Sequence, residues 1–230
     1  MSLSPSLRPV TAALAAALAM LAHAPAQAVA LTEPVAPSNF ADTALPGTTV
    51  AARPELAGTV LEDVITPFSF LGITGTVQNR VVRETASGTL DFIWKINVDS
   101  VDTGGQGVRA FRLIGFGHDN IVDADWRIDG QGSVSPDTAR LFREAVQPTG
   151  AVNFLFDTGV NSGQQSNFFF LHTSATSYSQ SASFDLLGGA GLGLSPVFST
   201  FAPAVPEPGS FALAVAGLAV AGLVVRRRQA

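Results

Sequence analysis

Residues 90–98 read Leu90-Asp91-Phe92-Ile93-Trp94-Lys95-Ile96-Asn97-Val98. Leu90, Phe92, Trp94, Ile96 and Val98 hold alternate positions, with Asp91, Ile93, Lys95 and Asn97 between them. Successive side chains of a strand point to opposite faces, so this pattern predicts a strand with one apolar face and one wet face. Trp94 is in phase with the apolar set and belongs to the core. Upstream, residues 75–84 carry Val77, Val81 and Val82, and Thr85-Ala86-Ser87-Gly88 follows as a turn, so the two stretches predict a hairpin. Downstream, the same texture recurs at 108–116 (with Arg109 and Arg112), at 124–129 around Trp126 and Ile128, and at 152–157 around Val152, Phe154 and Phe156. Residues 139–146 read as a strand or a brief helix, and 182–187 as another strand. Residues 167–172 form a continuous apolar run ending in His172, the pattern of a strand buried on both faces. Short strands at close intervals, with Gly, Asn, Asp or Pro between them, predict an all-β antiparallel sandwich or jelly-roll-like domain over 58–201. The 16 Phe of the chain suit a core of stacked rings.

Residues 29–57 show no period and hold Pro34, Pro37, Pro46 and Pro54. They predict an extended, loosely ordered lead-in with room for one edge strand. Residues 1–28 have the layout of a signal peptide helix: Arg8 in the n-region, an apolar stretch at 10–22, then Ala26-Gln27-Ala28. Cleavage is expected before Val29, with Ala28-Val29-Ala30 as a second site that moves the cut to Leu31. Such a leader makes the Sec translocon a partner during export. There is no cysteine, which excludes disulfides and thiolate metal or redox chemistry. Between Val29 and Val205, nine basic side chains stand against seventeen acidic ones, a net charge of −8. That balance argues against nucleic acid or an anionic membrane surface as a partner.

The C-terminus has three parts in order: Val205-Pro206-Glu207-Pro208, an apolar run at 209–225, and Arg226-Arg227-Arg228. As a helix the run spans roughly 25 Å. This is just short of a ~30 Å hydrocarbon core, and the arginines can snorkel to extend it. Pro206 and Pro208 place the helix start after them. The triple arginine favours a cytoplasmic C-terminus for a single transmembrane helix. Motif, short helix and basic stop resemble the PEP-CTERM sorting signal of exported proteins from Gram-negative bacteria that make extracellular polysaccharide. The resemblance covers residues 202–230 at most. It implies a membrane-embedded exosortase that recognises the motif and cleaves close to it. It also implies an ectodomain held at the inner membrane in the periplasm, then delivered to the cell surface or extracellular matrix with exopolysaccharide. By the logic of removable tails, the mature chain then has no span. The ectodomain rhythm also resembles domains found in front of this tail, which carry no known activity with them.

Candidate chemistry is sparse. His118, Asp119, Asp123, Asp125, Asp129 and Asp137 form the most charged cluster, and oxygen-rich loops bind Ca²⁺. Asp123-x-Asp125 begins like a calcium loop, but Arg127 and Ile128 occupy the next ligand and glycine positions, so it is no EF-hand. On an alternating strand Asp123, Asp125 and Asp129 would share a face with Arg127 and pair with it. Ca²⁺ at Asp119, Asp123, Asp125 and Asp129 is the one cofactor candidate; otherwise none is expected. His118 and His172 are the histidines outside the leader, and zinc or triad chemistry would need them to meet a carboxylate or Ser in space. There is no Gly-x-Ser-x-Gly elbow, no His-Glu-x-x-His, and no Gly-Lys-Ser/Thr after the Gly-rich 188–193. Trp94, Trp126 and Tyr178 are candidates for a sugar-stacking platform, with Trp94 favoured for the core. No pair among the seventeen acids is singled out for glycoside hydrolysis. The expectation is a non-enzymatic surface or matrix protein, with a carbohydrate-binding module as the alternative and a secreted hydrolase as a distant one.

Overall fold

A computed structural model of the chain describes residues 29–117, 119–142, 152–189, 191 and 193–204. The signal peptide with Ala26 and Ala28, His118, the sorting motif, the apolar tail and Arg226–Arg228 lie outside the described residues. Among the described residues no helix is long and apolar enough to cross a membrane.

The described residues form an all-β fold whose strands pair antiparallel. One sheet holds β2 (Gly58–Phe70), β3 (Ile73–Glu84), β4 (Leu90–Val101), β9 (Phe169–Thr173) and β6 (Ile121–Trp126), in the order β2-β3-β4-β9-β6. The other holds β1 (Phe40–Ala44), β7 (Thr138–Phe142), β8 (Val152–Val160), β5 (Val108–Ile114), β10 (Tyr178–Gly188) and β11 (Gly193–Leu194) in that order, with β12 (Phe198–Pro203) also on β10. The expected hairpin is present as β3–β4, with Arg83 opposite Leu90.

The two sheets face each other across aromatic rings. Trp94 of β4 lies 5.4 Å from Phe111 of β5, 6.3 Å from Phe154 of β8 and 6.1 Å from Phe169 of β9, centroid to centroid. Phe111 in turn stacks on Phe184 of β10 at 5.0 Å. Offset and edge contacts of this kind add to the area that the rings bury. One polar relay crosses this core fully satisfied. Trp94 Nε1 donates to Thr200 Oγ1 at 3.1 Å, and that hydroxyl donates to Asn79 Oδ1 at 3.0 Å. At the end of β12, the Ala204 N–H donates to Ser177 O at 3.0 Å.

Residues 29–57 do more than lead in. Val29 bridges Ala124 beside β6. β1 then pairs along β7 from Phe40 opposite Phe142 to Ala44 opposite Thr138. Thr48 next bridges Arg127 at the β6 edge of the five-stranded sheet. From there the chain crosses the outer face of that sheet, passes through a 3-10 turn at Pro54–Leu56, and enters β2 at the opposite edge. Leu56 packs with Val82, Ile93 and Phe170, flanked by Val50 and Phe168. This strap changes the reading of β4: Asp91 and Ile93, expected on a wet face, are buried, while Lys95 and Asn97 remain half-buried. Gly47 starts the strap with φ 82°, and a Cβ there would stand 2.5 Å from the Trp126 ring. Glycine is the residue that fits both demands.

Candidate functional site

Strand register arranges the outer face of the five-stranded sheet in rows. Val82, Asp91, His172 and Asp123 stand opposite one another across β3, β4, β9 and β6. In the next row are Arg80, Ile93, Phe170 and Asp125. Gln78 and Lys95 follow, with the Phe168 carbonyl accepting from Arg127 N–H at 2.7 Å. Thr76, Asn97 and Gln165 close the series. The first row is acidic and lies under the strap; the third is cationic and open.

At the acidic end, Arg53 of the strap makes a two-pronged contact with Asp123, Nη1 to Oδ1 at 3.0 Å and Nη2 to Oδ2 at 3.2 Å. Arg53 Nε also donates to Glu55 at 2.8 Å, and its guanidinium sits over the Phe170 ring at 5.5 Å. Beside this pair, His172 Nδ1 lies 2.8 Å from Asp91 Oδ1 and 2.9 Å from Glu84 Oε1. The ring is aligned to bond Asp91, which leaves Glu84 Oε1 and Asp91 Oδ2 without hydrogen-bond partners. Glu84 is 3% exposed and Asp91 0%. The other Glu84 oxygen accepts from the Ser87 and Thr89 hydroxyls. Burial raises the Asp91 pKa, and the His172 bond only partly offsets that. For His172, burial works against the charged ring. The hydrogen bond to Asp91 and the charges of Asp91, Asp123 and Glu84 outweigh it and hold the pKa above the ordinary histidine value.

The four aspartates expected to share a calcium site are not brought together as one ligand set among the described residues. Asp123 is taken by Arg53. Asp125 is buried; one oxygen accepts from the Gly47 and Trp126 N–H groups, and burial raises its pKa. Asp129 pairs with Arg127 at 3.0 Å, as expected, and also accepts from Val50 N–H. Asp119 is exposed in a turn. Among the described residues, the group able to hold a metal is instead Glu84, Asp91 and His172. Sequence reading had no access to Glu84 or Arg53 as partners of this row. The one available signal was a carboxylate, Asp91, set between Leu90 and Phe92.

The candidate sugar platform of Trp94, Trp126 and Tyr178 does not assemble. Trp94 is in the core, Trp126 Nε1 donates to Leu45 O at 3.1 Å, and Tyr178 O–H donates to Glu62 at 2.8 Å. What lies open is a groove of about 390 Å³ lined by Gln78, Arg80, Lys95, Arg127, Asp129, Gln131 and Phe168, with Asp129 already paired to Arg127. Arg80 and Lys95 stand 5.1 and 5.2 Å from the Phe168 ring centroid. Arg80 pairs with Asp63 at 2.7 Å, while Lys95 has no carboxylate partner among the described residues. Burial and the adjacent Arg80 charge pull the Lys95 pKa down. A second hollow shares Gln78 and Lys95 and adds Thr76, Asn97 and Gln165, which lengthens the groove with amides and a hydroxyl.

Residues 204–228 match the PEP-CTERM protein-sorting motif. No curated protein and no solved structure matches the chain. The tail therefore marks an exported protein that is an exosortase substrate, with a C-terminal membrane anchor before cleavage.

Proposed function

We propose that this exosortase cargo is a non-catalytic cell-surface or matrix protein that holds acidic exopolysaccharide in the groove around Phe168. The observation that carries the reading is Lys95, a cation without a carboxylate partner among the described residues, set in a solvent-facing groove beside the ion-paired Arg80 and Arg127 on a domain that is acidic as a whole. Arginine and lysine recognise carboxylates, and the amides of Gln78, Asn97, Gln131 and Gln165 suit sugar hydroxyls. The aromatic-platform form of a carbohydrate-binding module has no support here, because Trp94, Trp126 and Tyr178 are engaged elsewhere. A hydrolase reading gains nothing from Glu84 and Asp91. Both are buried, at 3% and 0% exposed, and so are closed to a saccharide substrate.

The test is binding of the secreted protein to polygalacturonate and to neutral dextran across a salt series. Binding to the uronate polymer alone, weakening as salt rises, is the expected result. Lys95→Glu should weaken it at least about tenfold, the fold remaining intact, because opposed charge at such a contact carries over a kcal/mol. Equal binding of dextran, or indifference to Lys95→Glu, would refute the reading. Delivery has its own check: mass spectrometry of the mature protein should find a C-terminus close to Val205–Pro208, and a retained Arg226–Arg228 would contradict release.

A further inference from the structure

We infer that Glu84, Asp91 and His172 form a zinc site that staples β3, β4 and β9 together. The three residues come from three adjacent strands, and one ligand atom from each lies within 4.8 Å of the others. Nδ1 of His172 faces both carboxylates at hydrogen-bond distance but can satisfy only one of them. Glu84 Oε1 and Asp91 Oδ2 are left buried and unpartnered. A buried carboxylate is tolerable when it is paired or ligates a metal. Arg53 is already committed to Asp123 and Glu55, so Glu84 and Asp91 remain against one imidazole. A dication with a neutral imidazole balances them; a protonated imidazole leaves one charge over.

The donor set selects the ion. One imidazole nitrogen with two carboxylate oxygens suits zinc, whereas Ca²⁺ takes six to eight oxygens. Zinc bonds of about 2.0–2.2 Å in a tetrahedron put ligand atoms roughly 3.3 Å apart. The present 2.8 and 2.9 Å spacings therefore need to open by about half an ångström, a side-chain adjustment. Ser87 and Thr89 already hold the second Glu84 oxygen, which is how outer partners orient a ligand. The His172 side chain keeps 16% of its surface exposed, so water can reach the edge of the cluster and would supply the fourth ligand. A chain that is exported without cysteine gains from this a cross-strand tie that needs no oxidant. The site is independent of the saccharide groove.

The test is zinc chloride titration of the chelator-stripped, full-length protein in detergent, read by calorimetry and by thermal unfolding. One zinc per chain and a rise in Tm are expected, with no heat from calcium chloride. Cobalt in place of zinc should give the absorption bands of a tetrahedral N,O site on the unmutated protein, so the result does not depend on a variant folding. His172→Gln should abolish the cobalt bands and weaken zinc beyond the about 10–100-fold that loss of a ligand's outer partner costs. Asp119→Asn and Asp129→Asn should leave both unchanged. Absence of stoichiometric zinc binding, zinc binding that survives His172→Gln, or preference for calcium would each overturn the inference.

Discussion

Arg53→Met is expected to lower the unfolding free energy by about 3–5 kcal/mol, the range for removing one partner of a buried ion pair. The side chains of Arg53 and Asp123 are 6% and 4% exposed, and their contact is two-pronged. Methionine keeps much of the volume over Phe170 but leaves Asp123 with no cation in a row that also holds Asp91. The dominant cost is that orphaned carboxylate rather than lost packing. Arg53→Met combined with Asp123→Leu should therefore recover most of the loss, because replacing both charges removes the desolvation penalty with the attraction. Guanidinium denaturation of the two variants checks this. A loss below 1 kcal/mol for Arg53→Met would mean the strap is dispensable. Failure of the double variant to recover would mean the strap needs the pair for position.

Trp94→Ala is expected to cost a similar 3–5 kcal/mol, for a different reason. The indole sits where rings from both sheets converge and is 1% exposed. Alanine leaves a cavity that four strands cannot close together. Trp94→Phe separates packing from hydrogen bonding. It keeps a ring but removes the donor to Thr200, whose hydroxyl still serves Asn79. That variant should lose about 1–2 kcal/mol. Equal losses for the two variants would place the stability in the hydrogen-bond relay instead of the ring contacts. Equilibrium unfolding by tryptophan-independent circular dichroism measures both.

Much of the fold was legible because it depends on a local period. The alternation at 90–98 identified the core face of β4 correctly, and the run at 167–172 identified β9 as buried on both sides, with Phe169 and Leu171 in the main core and Phe170 under the strap. The outer face was misjudged because its cover comes from residues 46–57, a stretch whose prolines and glycine carry no period. Its burial is created by a crossing between opposite sheet edges, which no window of sequence displays. The same is true of the site. Asp91 and His172 meet across a β4–β9 pairing, and Asp123 joins them across β9–β6. Their residue types were visible; the register that sets them side by side is a tertiary property. Phe168 was read as one more ring of an apolar run, whereas it sits beneath two cations.

The end of β12 has a mechanical consequence for processing. Ala204 is tied to Ser177, and Val205-Pro206-Glu207-Pro208 begins at the next residue. In the sequence only Val205–Pro208 stand between Ala204 and the apolar run at 209–225. A cut close to Val205–Pro208 would therefore fall within four residues of the last hydrogen-bonded backbone group among the described residues and leave almost no tail on the released protein.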